Sequence, residues 1–311
     1  MTRASQCMTN TIKRPMKRTF TLMLGLMALL LMATPAAARK YGETLRILAI
    51  GNSFSDDGME HLPALLEDLG IENVELARLY VGGCTLKQHT QFYNKQEQAY
   101  LFYHSKAGQN RWVKAEEKVS MQYALEMGEW DIITMQQASG VSGLYESYVP
   151  YLERLIEVVK KAQPQAELVW HMTWSYSTDS NHREFPNYDR DQQKMYKAIT
   201  DCVHRLKKEF KAIKNIIPSG TAIQSLRQSA INNSPKDFTR DGYHMDFGAG
   251  RYALACTWYE ELIRPYTHRS MMGNGLRLDM GDVKVTDHTA PYIQKAAKKA
   301  SKKPFKVQTI K

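Results

Sequence analysis

Short apolar runs alternate along the chain with longer amphipathic stretches, and that alternation predicts a parallel sheet covered by helices. The first run, Leu-Arg-Ile-Leu-Ala-Ile over 45–50, has strand character. Met59, Leu62, Leu65, Leu66 and Leu69 then fall on one helical face, with Gly70 as a natural stop. A second strand is predicted over 74–81, before the pair Gly82-Gly83, and further strands over 131–136, 167–173 and 215–218. Helices are predicted over 119–127, 148–162, 189–210 and 248–263, with Pro164 closing the second of these. The stretch 91–118 breaks the alternation. Its runs 100–104 and 111–114 flank Gly108-Gln109-Asn110 and read as a hairpin insertion. There is no internal repeat and no Pro/Ser-rich linker. The fold class is therefore α/β, in one domain.

The ends differ from this body. Arg3, Lys13, Arg14, Lys17 and Arg18 precede an apolar core over 21–32, and Ala36-Ala37-Ala38 follows it. This is the layout of a secretory signal peptide over 1–38, with a retained N-terminal anchor as the alternative. No other segment is long and apolar enough to cross a membrane. The expected organisation is leader 1–38, domain 39–282 and a lysine-rich tail 283–311, in an exported protein that is periplasmic or secreted.

The formal charge of +10 is concentrated at those ends. Five cations lie in the leader and seven lysines in the last 17 residues, leaving a body near neutral. The charge therefore gives no argument for a nucleic-acid partner, and the lysines read first as a solvated end. After the leader, Cys84, Cys202 and Cys256 remain, an odd number that allows at most one internal bridge. With no CxxC and no Cys/His cluster, neither a disulfide scaffold nor a structural metal is expected.

Candidate chemistry sits at the predicted strand ends. Ser53 lies in a Gly-Asn-Ser turn after the first strand, and Asp241-Gly242-Tyr243-His244 follows the fifth. A serine hydroxyl is a poor nucleophile until a neighbouring base takes its proton, and an Asp and a His three residues apart supply a base and its orienting group. Gly82-Gly83 and Gln136-Gln137 end the second and third strands. In an open parallel sheet these ends share the rim where ligands bind. Asp56, Asp57 and His61 also suggest a metal, although two acids at a helix start are better explained by capping and the helix dipole.

The segment Gly51-Asn52-Ser53-Phe54-Ser55 resembles the first block of the SGNH (GDSL-like) hydrolases, with Asn52 where Asp is commoner. Asp241-Gly242-Tyr243-His244 resembles their closing Asp-x-x-His block, and the similarity spans 45–263. The resemblance implies a three-layer α/β/α sandwich on a flavodoxin-like, five-stranded parallel sheet, and ester hydrolysis with no cofactor. It implies Ser53 as nucleophile, His244 as general base and Asp241 as its orienting group. The implied oxyanion donors are the amides of Ser53 and Gly83 and one polar side chain. That side chain is usually an asparagine; here Met135-Gln136-Gln137-Ala138-Ser139 offers Gln137, or else Gln136.

The loop after the fourth strand is rich in Trp, Tyr, Ser and Asn, and Trp174 and Tyr176 are its candidates for stacking on a sugar, with ordinary packing as the equal alternative. Trp170, within the strand, reads as core. The expected substrate is a small acyl ester, O-acetyl on a carbohydrate. A lipase or thioesterase activity, or an inactive glycan-binding module, are the alternatives.

Overall fold

A computed structural model describes Met1 and residues 43–311; apart from Met1, the expected leader lies outside the described residues. Among these residues seven strands form one sheet: β1 (Leu45–Gly51), β2 (Val74–Tyr80), β3 (Tyr100–Ser105), β4 (Val113–Val119), β5 (Ile132–Met135), β6 (Glu167–His171) and β7 (Ile213–Ile217). Their order is β4-β3-β2-β1-β5-β6-β7. β1 pairs in parallel with β2 on one side and β5 on the other, and β6 and β7 continue the parallel run. The expectation of five strands is corrected, because the hairpin belongs to the sheet. β3 pairs antiparallel with β2, placing Tyr103 opposite Arg78, and β4 completes the edge.

The helices are α1 (Ser53–Met59), α2 (Leu62–Asp68), α3 (Leu86–Lys95), α4 (Met121–Glu126), α5 (Tyr151–Ala162), α6 (Gln192–Glu209), α7 (Ser219–Leu226), α8 (Ala249–Trp258), α9 (Arg264–Thr267) and α10 (Ala290–Lys302). The first apolar helical face becomes two short helices rather than one. Pro63 has no N–H to continue α1, and it sits in the first turn of α2, where none is needed. The core follows from the parallel pairing: β1 is covered on both faces, and Ile47, Leu48 and Ala49 have no exposed surface.

The lysine-rich end is ordered as α10. Ala290, Ile293, Ala296, Ala297 and Ala300 are buried, and the helix packs on α7 and α8. Cys84, Cys202 and Cys256 are free thiols in separate buried settings. No helix among the described residues is long and apolar enough to cross a membrane.

One contact fixes the seat of α1. A Cβ built on Gly58 would lie 2.6 Å from Nε1 and 2.9 Å from Cε2 of the fully buried Trp258 indole on α8. Alanine in mid-helix gains up to about 1 kcal/mol over glycine, whereas overpacking a closed core costs about 1–3 kcal/mol. The clash wins. Gly58→Ala is expected to lower unfolding stability by roughly 1 kcal/mol, measured by urea denaturation; a stabilised variant would contradict the packing described.

Candidate active site

β1 ends at Gly51, and Asn52 turns the chain into α1. The Asn52 Oδ1 accepts the Phe54 N–H at 3.0 Å, capping the helix. Its Nδ2 donates to the Cys84 carbonyl beyond β2 at 3.0 Å, while Oδ1 also accepts from Gln136 Nε2 beyond β5 at 2.7 Å. One buried side chain thus ties the ends of three adjacent strands together. Ser53 is the first residue of α1, held at the rim by this cap.

The second half of the site comes from the loop before α8. Ser53 Oγ lies 2.8 Å from His244 Nε2, and His244 Nδ1 lies 2.6 Å from Asp241 Oδ2. Asp241 Oδ1 accepts the amides of His244 at 2.8 Å and Tyr243 at 3.2 Å. Burial pulls the Asp241 carboxyl upward, but the bonds from the His244 ring and these amides outweigh it and hold the carboxyl below its ordinary value. An ionised Asp241 assigns the imidazole proton to Nδ1, leaving Nε2 to accept from the serine hydroxyl. The three residues selected from the sequence therefore form one continuous hydrogen-bonded chain.

Asp57 holds the two halves in register. It is fully buried on α1, and its carboxylate accepts from Arg240 Nη1 at 3.1 Å and Arg251 Nε at 2.8 Å. It also accepts the Met245 amide at 2.9 Å. Arg240 and Met245 bracket the Asp241–His244 turn on both sides. Neither Asp56 nor Asp57 caps α1, since Asn52 does that; this departs from the capping expected from sequence. His61 Nε2 bonds the Phe247 carbonyl at 2.7 Å, and no group of three potential metal ligands occurs among the described residues.

A cavity of about 490 Å³ opens over Ser53 and His244. Gly82 and Gly83 form one wall, and Gly83 has φ +64°, a conformation that suits glycine, with open space where a Cβ would stand. Ala138, Ser139 and Gly140 form another wall.

The glutamines expected as oxyanion donors do not reach this cavity. Gln137 is buried and donates through Nε2 to Ser147 O at 2.9 Å and Oγ at 3.0 Å, while its Oε1 accepts from Leu86 and Ala138 amides. Ser147 on one side and the Leu86 and Ala138 amides on the other thus occupy both ends of its amide group. Gln136 donates to Asn52 and accepts from His171 Nδ1 at 2.9 Å, and His171 in turn meets Ser219 Oγ at 3.0 Å. Burial pushes the His171 imidazole down to about 3, so this ring is a neutral relay of hydrogen bonds.

Trp174 and Tyr176 also lie beneath the cavity rather than facing it. Both are fully buried. Trp174 stacks on Phe54 with centroids 4.1 Å apart, and its Nε1 donates to the Tyr243 carbonyl at 2.7 Å. It supports the turn that carries His244. Tyr176 meets Ser139 Oγ at 3.0 Å.

The residues that do face the cavity include Tyr80, Gln88, His182, Arg183, Glu184 and Tyr243. Burial holds the His182 imidazole below its ordinary value. His182–Glu184 were not singled out from the sequence. The available signal was the long polar loop between β6 and α6 at the carboxyl edge of the sheet, where binding residues concentrate.

The chain matches, over residues 46–289, the family described as Domain of unknown function (DUF4886). The crystal structure of a DUF4886 family protein from Bacteroides uniformis ATCC 8492 is 36% identical, with a TM-score of 0.78, covering 86% of this chain and 98% of that one. A protein proposed to be an SGNH hydrolase, from Slackia heliotrinireducens, is 21% identical with a TM-score of 0.47, covering 70% of this chain and 98% of its own. Axe2, an acetylxylan esterase from Geobacillus stearothermophilus, is 12% identical with a TM-score of 0.46, covering 72% and 97% respectively. No curated protein matches the sequence.

Proposed function

The chain belongs to the DUF4886 family, and on that premise we propose that it is an exported serine esterase of SGNH type that removes a small acyl group, such as acetyl, from a carbohydrate. The observation that carries the reading is the unbroken line from Asp241 through His244 to Ser53, with contacts of 2.6 and 2.8 Å, under an open cavity. Such a line activates a hydroxyl whose own acidity is far too weak at neutral pH.

His244 Nε2 takes the Ser53 proton as Oγ attacks the ester carbonyl. The carbonyl oxygen becomes an oxyanion facing the amides of Ser53 and Gly83. Collapse breaks the bond to the alcohol, which leaves with the proton from His244. A water then gives its proton to His244 and attacks the acyl-serine; the acid departs and Ser53 regains its proton. Ionised Asp241 keeps the ring in the required tautomer and offsets the charge it gains.

The lining favours a polar alcohol. Tyr80, Gln88, His182, Arg183 and Glu184 offer hydroxyl, amide and charged groups suited to a polyhydroxylated ring. That argues against a lipid. The test is release of acid from acetylated xylo-oligosaccharides, acetylated neutral sugars and long-chain 4-nitrophenyl esters. Faster turnover of a long-chain ester would point to the lipase alternative.

Asp241→Ala is expected to leave on the order of 10²-fold more residual activity than loss of Ser53, since the base survives without its orienting group. Equal losses in the two variants would contradict the role given to Asp241. One observation favours a second reading, an inactive glycan-binding module: both glutamines at the end of β5 are spent on structural bonds. A folded protein that binds acetylated glycans and releases no acid would establish it.

A further inference from the structure

The lysine-rich end forms a second cleft, of about 530 Å³, lined by Lys295, Lys298, Lys299 and Lys302 of α10 together with Lys311 and Met272. Its wall is built. Lys299 Nζ donates to the Thr309 carbonyl at 2.8 Å, and Lys295 Nζ to Lys311 O, folding the last residues back along the helix. Buried Ile310 and the bond from Gln308 N to Ser225 Oγ at 3.0 Å pin that segment to the body. No aspartate or glutamate follows Asp287 in the sequence.

We propose that this cleft binds an acidic polysaccharide, its carboxylate or sulfate groups lying between the ammonium groups of α10. Five ammonium groups converge here with no carboxylate side chain along the wall, one of them, Lys295, already bonded to the terminal oxygen of Lys311, and the field of such a cleft attracts polyanions. None of the seven terminal lysines pairs with an Asp or Glu side chain among the described residues, and five of them line this one cleft.

A polysaccharide fits better than the other polyanions. Residues 290–311 expose no large hydrophobic side chain to enter a bilayer. Phe305, the one aromatic side chain after Tyr292, is half-buried with one face already stacked on His204 at 3.7 Å between centroids, so the cleft has no row of free aromatic faces for successive nucleobases. The volume lies in the range of small-ligand sites, room for a few sugar units.

The test uses the full chain with heparin and polygalacturonate as probes, neutral xylan as control, and binding measured at low and high salt. Lys298 and Lys302 make no side-chain hydrogen bond or ion pair among the described residues, so Lys298→Glu/Lys302→Glu removes binding charge without breaking the bonds that fold the last residues back along the helix. This pair is expected to weaken binding to either acidic glycan by at least about 10-fold at low salt, and high salt to erase the difference. A remote pair with the same change of charge, Lys106→Glu/Lys161→Glu, is expected to weaken it by less than about 3-fold. Should the first pair not fold, Lys298→Ala/Lys302→Ala serves in its place. Equal losses at both locations, no binding at low salt, or tighter binding to phosphatidylglycerol vesicles than to the glycans overturns the proposal.

Discussion

Ser53→Ala is expected to reduce 4-nitrophenyl acetate turnover by a factor on the order of 10⁵, equivalent to about 7 kcal/mol of transition-state stabilisation. The size follows from the mechanism. Without Oγ there is no acyl intermediate, and His244 and Asp241 have nothing to activate. What remains is whatever the cavity and the two amides do for direct attack by water. The variant should fold normally, because the cap on α1 belongs to Asn52, and Ser53 supplies no bond to the core. His244→Ala is expected to fall to a similar level, since the two act as a unit. A Ser53→Ala protein retaining more than about a tenth of wild-type turnover would contradict the assignment.

The largest expected effect on stability lies at Asp57. Removing its carboxylate leaves two guanidinium groups and the Met245 amide without their acceptor, at a site where the Asp57 side chain has no exposed surface. Breaking a buried ion pair from one side costs about 3–5 kcal/mol, and here the buried Met245 amide loses its acceptor as well, with Arg240 and Arg251 only 25% and 16% exposed. Asp57→Ala is therefore expected to lose about 3–5 kcal/mol in urea denaturation. Activity is expected to fall with it, as the Asp241–His244 turn loses the anchor that both its neighbours share. A loss below about 1 kcal/mol would show that the arginines find water instead, as exposed pairs do.

Much of the fold was legible because its signals are local. β1, β2 and β6 begin where the apolar runs begin, and α6 lies within the longest amphipathic stretch. Ser53, His244 and Asp241 were identifiable because each stands in a short motif whose backbone geometry its own neighbours set. Asn52 caps, and the Asp241 carboxylate closes its own turn.

What failed depended on where a side chain points. Gln137 is the right type of donor, but its amide is claimed by Ser147 across a turn that the sequence does not reveal. Trp174 looked like a sugar platform, yet its indole lies flat on Phe54 inside the core. In an irregular loop neither the two-residue nor the helical period applies, so inward and outward residues cannot be told apart. α7 escaped for another reason: it is only eight residues long and buried on every side, its polar Thr221, Gln224 and Ser225 included, so the polar residues do not mark a solvent face. Asp57 read as a helix-start acid because its partners, Arg240 and Arg251, lie far along the chain.

The most direct test of the central claim is reaction of the folded protein with a fluorophosphonate, followed by mass spectrometry of its peptides. A single adduct on Ser53, abolished in His244→Ala at unchanged secondary structure, is the result this account predicts. A protein that stays unlabelled while fully folded, or that carries the adduct on another residue, would contradict it.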